Sequence, residues 1–297
     1  MIDVKNLTMI YPSGKGIFNL NFKVKKGEIL GYIGPNGAGK TTTIRALLGF
    51  MKPNEGTCTI NGLDCIKDAP KIQRFLGYIP GEISFFDDMT GYEFLQFMHE
   101  MRGLKDNGRQ NELLKLFDLD PKGKIRRFSK GMKQKLGIVT AFMHNPDVLI
   151  LDEPSSGLDP LMQIRFINLI LEEKEKGKTI ILSSHIFEEV EKTCDNVIII
   201  KEGKIVNYST VQLLKKSQRK GFIIKPDNCE QAIQTFLRSN FISNQLNNDS
   251  IEVYCSGDRI DEFIKTCAKL KLYNFDEISQ SLEDVFMQYY KNEGVQQ

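Results

Sequence analysis

The segment "GYIGPNGAGKTTT", residues 31–43, decides how the rest of the chain is read. Gly34 is followed by four residues and then by Gly39-Lys40-Thr41, the spacing G-x-x-x-x-G-K-[ST]. An apolar run, "EILGYI", leads into it, and "TTTIRALLGFM", with helical spacing, leaves it. Glycines let successive backbone N–H groups turn toward one anion without Cβ clashes. A helix beginning there adds its positive end. Lys40 supplies a point charge for terminal phosphates, and the Thr41 hydroxyl suits Mg²⁺. The segment reads as a cradle for the phosphate chain of a Mg²⁺-nucleotide, set between a strand and a helix.

A second segment, "VLILDEPSSGLDP", residues 148–160, makes sense only beside the first. Its four apolar residues run straight into Asp152 and Glu153. Two bare carboxylates at the end of a buried strand are costly, and a metal with phosphate lowers that cost. Asp152 fits as the carboxylate for Mg²⁺, and Glu153 as the group that orients and deprotonates an attacking water.

Around these segments the pattern is that of a layered α/β chain. Residues 2–33 are β-rich, and "GTCTINGLD" suggests a hairpin with an Asn-Gly turn. Residues 91–103 and 109–118 have the spacing of amphipathic helices. From residue 129 onward, helices alternate with the short apolar strands "VLIL", "TIIL" and "VIII". That order implies a parallel sheet covered on both faces. Beyond about residue 215 the strand-like "GFIIKP", a helix, the strand "SIEVYCS", a second helix and the strand-like "YNFDEIS" suggest a small α+β domain of ferredoxin-like order. Its helices would bury Ala232, Ile233, Phe236 and Leu237, and Ile260, Phe263, Ile264 and Cys267. A last helix would open at Ser281 with Asp284 as its capping-box partner.

Composition narrows the partners. The 297 residues carry a formal net charge of +2, and the basic clusters "KVKK" and "KGKIRR" are short. A nucleic-acid binder would show a basic stripe, so no nucleic-acid partner is expected. The six cysteines form no C-x-x-C pair and there are three histidines, which argues against a zinc site and for reduced thiols in a cytosolic protein. The amino terminus "MIDVKNLTMIY" does not read as a secretory signal. The apolar runs fall far short of the ~20 residues that span a bilayer. Docking on a membrane protein remains open.

Three further segments complete a pattern. "RRFSKGMKQKLGIV" precedes the carboxylate strand, "SSGLD" follows it, and "LSSHIFEEVEKTCD" comes after that. In this order, over about residues 2–210, the set resembles the ATP-binding subunit of ABC transporters. The resemblance implies a P-loop NTPase cassette over residues 1–212: a parallel core sheet, an antiparallel β subdomain and a helical subdomain at about 84–140. Residues 213–297 would form a C-terminal accessory α+β domain. It implies ATP and Mg²⁺ as cofactors. Tyr11 would stack on adenine, and Gly34, Pro35, Asn36, Gly37, Ala38, Gly39, Lys40, Thr41 and Thr42 would form Walker A. Ser129 and Gly131 lie in the signature motif, and Asp159 in the loop between subunits. Thr41 and Asp152 would hold the metal. Lys40, Glu153 and His185 would act in catalysis, with His185 sensing the γ-phosphate.

The same resemblance implies a head-to-tail dimer in which each signature motif completes the other subunit's site. The second ATP-binding subunit is the same or a related chain. It also implies a separate integral membrane permease that holds the chain at the cytoplasmic face of the cell membrane. The ending "SLEDVFMQYYK" resembles ATPases paired with ABC-2 type exporters, including bacitracin-resistance and sodium-extrusion types. Two departures stand out. The signature reads "FSKGM", with Lys130 in place of a glycine and Met132 in place of a glutamine. Gly81 stands where a glutamine usually follows the proline of "GYIPGE", with Glu82 next. A soluble ATPase of the same family, acting in translation, DNA maintenance or cofactor assembly, is the alternative. Against it stand the single cassette and the lack of a long coiled-coil insertion between residues 45 and 128. A nucleotide-binding regulator without turnover is a third reading, and the presence of Glu153 argues against it.

Overall fold

The computed structural model describes residues 1–217, 219–256 and 259–278. The chain divides into two units, Met1–Ser209 and Thr210–Gln297. In the first unit, β1 (Ile2–Ile10) and β2 (Gly16–Val24) pair antiparallel. Each keeps its apolar side chains inward although the alternation slips by one residue. Ile2 and Val4, then Leu7 and Met9, are buried on β1. The slip coincides with register shifts on either side of Leu7 and with left-handed φ values at Asn6 and Asn19, 48° and 50°. A bulge absorbs the extra residue and preserves the inward face.

β3 (Ile29–Ile33) and α1 (Lys40–Leu47) flank the glycine-rich loop. β4 (Glu55–Ile60) and β5 (Leu63–Asp64) form the hairpin, with Asn61 at φ 51° and Gly62 at φ 80°. Two left-handed residues are what a two-residue type I′ turn requires. The antiparallel sheet runs β2-β1-β4-β5. α2 (Ala69–Phe75) and β6 (Leu76–Ile79) follow, elements too short for sequence periodicity to single out.

The helical part contains α3 (Gly91–Arg102), α4 (Gly108–Leu116) and α5 (Lys130–Phe142). Thr90 opens α3 through a reciprocal capping box with Glu93. The aromatic run ahead of α3 divides: the half-buried Phe85 ring stands 4.8 Å from that of Phe94, while Phe86 is 56% exposed. Next come β7 (Val148–Asp152), α6 (Pro160–Glu175), β8 (Thr179–Ser183), α7 (Phe187–Thr193), β9 (Asn196–Lys201) and β10 (Lys204–Thr210). The second sheet runs β10-β9-β3-β8-β7-β6. β3, β7 and β8 are buried at every residue, as expected for strands covered on both faces. β3, β6, β7, β8 and β9 are parallel, so β3, β7 and β8 end on the same side of the sheet. Ligand sites of open α/β sheets lie at those carboxyl ends.

The second unit holds α8 (Val211–Ser217), β11 (Arg219–Pro226), α9 (Cys229–Arg238), β12 (Ile242–Asn247), β13 (Ser250–Ser256), α10 (Ile260–Cys267) and β14 (Leu272–Ile278). Its antiparallel sheet runs β12-β13-β11-β14, which is the ferredoxin-like order. Ala232, Phe236, Phe263 and Cys267 pack under Phe222, Ile224, Ile251 and Val253. Leu237 and Ile264, expected on the buried helix faces, are 50% and 55% exposed. They lie at the margins of stripes narrower than their spacing suggested. The helix expected from Ser281 lies outside the described residues. No helix among the described residues is long and apolar enough to cross a membrane.

Candidate functional site

The glycine-rich loop is shaped by what presses on it. Gly39 caps α1 at φ 111°, where an added Cβ would stand 2.7 Å from Ile17 Cγ2. A Cβ on Gly34 would come within 2.5 Å of the Ile200 carbonyl oxygen. β2 and β9 thus leave room for backbone alone at these two positions. The loop carries Lys40 back over itself. Its Nζ donates to the carbonyls of Gly34 at 2.7 Å and Pro35 at 3.3 Å. Burial lowers the Lys40 pKa, and the charges of Glu153 and Asp152 oppose that shift.

Thr41 and Asp152 meet at the end of β7. Thr41 Oγ1 donates to Asp152 Oδ2 at 2.9 Å, and the Ser183 hydroxyl donates to Asp152 Oδ1. Asp152 is 1% exposed. Glu153 then turns out of the sheet with φ 49°, a left-handed value that a glutamate adopts only under constraint. The constraint is visible: its N–H donates to the Ser183 carbonyl at 3.0 Å and the Ser183 hydroxyl at 3.1 Å. Its carboxylate lies between the Lys40 ammonium and the His185 ring. Oε1 is 3.8 Å from Lys40 Nζ, and Oε2 is 3.3 Å from His185 Nδ1. Lys40, Thr41, Glu82, Lys130, Asp152 and Glu153 line one cleft of about 680 Å³. A Cβ added at Gly81 would crowd Asp152 Oδ2 at 3.2 Å, so the glycine lets the backbone lie close against that carboxylate.

The other expected residues take local structural positions. Tyr11 Oη is 3.4 Å from Thr42 Oγ1, at the edge of the phosphate loop. Pro35, Asn36 and Gly37 line the cleft, and Ala38 donates its N–H to the Pro35 carbonyl. Ser129 caps α5, its hydroxyl accepting from the Met132 N–H at 3.2 Å. Gly131 faces the Gly157 carbonyl oxygen, which an added Cβ would approach to 2.9 Å. Asp159 caps α6, accepting from the Met162 N–H at 3.0 Å. Ser129, Gly131 and Asp159 do not line the phosphate cleft of their own chain, whereas Lys130 does, its Nζ donating to Ser156 Oγ at 3.2 Å.

Sequence reasoning missed the serines. Ser183 ties Asp152 to Glu153, and Ser155 and Ser184 both donate to the buried carboxyl of Glu189. The run "LSSH" at the end of an apolar strand held the signal, two hydroxyls beside a site of charge. Burial pushes the Glu189 carboxyl up to about 7, the serine hydroxyls pull it down, and the charge of Glu153 raises it further.

The arrangement suits phosphoryl chemistry. Thr41 and Asp152 present hard oxygen donors side by side, the ligand type that Mg²⁺ takes. Lys40 and the loop offer positive charge beside them, and Glu153 offers a base.

Comparison with known proteins agrees. A family model described as "ABC transporter" matches residues 17–156. The bacitracin transport ATP-binding protein BcrA of Bacillus licheniformis is 41% identical over 223 residues, 74% of this chain and 73% of that protein. An uncharacterized ABC transporter ATP-binding protein, YhcH of Bacillus subtilis strain 168, is 30% identical over 295 residues, 97% of this chain and 95% of that protein. That likeness runs on through the second unit. A solved structure of an ATP binding subunit of an ABC transporter superposes with a TM-score of 0.67 at 35% identity, covering 72% of this chain and 92% of that one.

Proposed function

The chain belongs to the ATP-binding subunits of the ABC transporter family, and from that premise we propose that it hydrolyses ATP to power export through a separate ABC-2 type membrane permease. The observation that carries the chemistry is the placing of Glu153 between Lys40 and His185, next to the Thr41–Asp152 pair. Lys40 moves its charge from the loop carbonyls to the β- and γ-phosphates, and the remaining loop amides take the other phosphate oxygens. Tyr11, beside Thr42, stacks on the adenine. Thr41 and Asp152 would hold Mg²⁺, which would supply charge neutralisation at the phosphoryl oxygens.

Glu153 orients the attacking water and takes its proton, and His185 holds the Glu153 carboxylate and contacts the γ-phosphate. Two cassettes pack head to tail, so that Ser129 and Gly131 of one face the phosphates held by the other, with Asp159 at the join. The amino end of α5 suits an anion there, and Lys130 adds positive charge.

A groove of about 590 Å³ beside α2 and α3, lined by Arg74, Met98, Met101, Arg102 and His144, would suit the permease, with Met101 68% exposed on its wall. The permease would keep the chain at the inner face of the membrane.

The test is purification of the tagged chain from native membranes in mild detergent, with copurifying proteins identified by mass spectrometry. A polytopic membrane protein is expected. Ribosomal or DNA-repair proteins with no permease would overturn the transport reading in favour of the soluble one.

A further inference from the structure

Glu189 lies on α7, four residues past His185, and has no part in the chemistry above. It is 2% exposed. Its Oε2 accepts from Ser155 Oγ at 3.2 Å and from Ser184 Oγ at 2.5 Å. Its Oε1 has no hydrogen-bond partner among the described residues. A carboxyl group buried with one oxygen unsatisfied is an expensive way to fill a core position, which an apolar side chain fills at lower cost. The placement of the two serines accounts for it. Ser155 lies two residues past Glu153, on the loop leaving β7. Ser184 directly precedes His185, on the loop leaving β8. The Ser184 hydroxyl also accepts the Ile186 N–H at 3.0 Å, closing a short turn with His185 at its middle. One carboxylate oxygen therefore holds the backbone on both sides of the Glu153–His185 contact.

We propose that Glu189 is a positioning residue whose Oε2, by joining Ser155 to Ser184, sets the approach of His185 to Glu153 without touching the nucleotide. The proposal rests on the reading of Glu153 and His185 as the hydrolytic pair. Lys40, Thr41 and Asp152 make none of the bridge's hydrogen bonds, so its loss acts on turnover more than on nucleotide binding. Loss of the bridge loosens the water-activating pair, and a misplacement of about 1 Å is enough to slow a reaction by up to about 100-fold. Glutamine keeps an oxygen that accepts from both hydroxyls, and alanine does not.

The experiment is steady-state ATP hydrolysis and equilibrium ATP binding by the purified full-length chain, in wild type, Glu189→Ala, Glu189→Gln and Glu153→Gln. For Glu189→Ala we expect kcat to fall about 10- to 100-fold, with KM and ATP affinity within about twofold of wild type. Glu189→Gln should recover kcat to within about threefold. Should Glu189→Ala not fold, Ser155→Ala and Ser184→Ala carry the same test, each lowering kcat and not affinity. An unchanged kcat in the alanine variants beside an inactive Glu153→Gln would overturn the Glu189 inference alone. So would parallel losses of affinity and kcat, or a glutamine variant as poor as the alanine one. A Glu153→Gln variant that still turns over would overturn the hydrolytic pair itself, and this inference with it.

Discussion

Glu153 is the residue on which two demands converge. It must be ionised to take a proton, yet it stands at the mouth of a buried strand with a left-handed backbone. Lys40 and His185 on either side make the charge tolerable, and Ser183 holds the backbone. Glu153→Gln keeps the shape and removes the base. It should bind ATP and turn it over about 10²- to 10⁴-fold more slowly than wild type. In gel filtration with ATP the variant should be retained as a dimer, because the closed state is no longer released by hydrolysis. Normal turnover would remove Glu153 from the chemistry. Lys40 makes the complementary case, with its ammonium held by two carbonyls that a phosphate would relieve. Lys40→Ala should weaken nucleotide binding by about 10- to 100-fold, as measured by calorimetry. Unchanged affinity would count against the phosphate cradle.

At the scale of elements, α5 and β6 illustrate how packing alters a titration. His144, just past α5, shares a hydrogen bond with the Leu76 carbonyl on β6 through Nε2 at 3.1 Å. Burial, with Arg102 nearby, lowers its pKa from 6.5 to about 4. The unfolded ring takes up a proton below about 6.5, whereas the folded one resists until about 4. Stability from this ring is therefore complete above pH 6.5 and is lost as pH falls toward 4. The loss is about 2 kcal/mol at pH 5, less whatever the partly exposed ring recovers from solvent. Urea unfolding at pH 7.5 and pH 5 should show that loss in wild type and a smaller one in His144→Gln. Equal losses in both would place the acid sensitivity elsewhere.

At the scale of the molecule, the two units have separate cores. One is built on β1, β2, β3, α1 and the neighbouring strands, the other on Phe222, Phe236, Phe263 and the sheet that they cover. Each buries its own apolar faces, which is the condition for independent folding. A fragment of residues 1–212 keeps β10 whole and is expected to melt cooperatively. It should bind nucleotide within about threefold of the full chain. A fragment that aggregates or fails to bind would mean that the second unit is required for the first to fold. The likeness to YhcH spans 97% of the chain and so includes the second unit.

The phosphate loop, the carboxylate pair and the layered order of strands and helices are legible in the amino-acid order alone. These rest on local patterns: glycine spacing, period-2 and period-3.6 apolar positions, and an apolar run ending in charge. It also marked Gly81 and Lys130 as unusual, since departures show against a motif of fixed spacing. Their surroundings come from long-range packing. Ser183 reaches Asp152 because β7 and β8 are parallel neighbours in a register that sets Asp152 opposite Ser183. Glu189 sits in "FEEVEK", where its charge reads as a solvated helix face, and it is buried because two loops 29 residues apart close over it. A local pattern carries no record of which distant strands become neighbours, and hydrogen bonds between side chains are made only once that pairing exists.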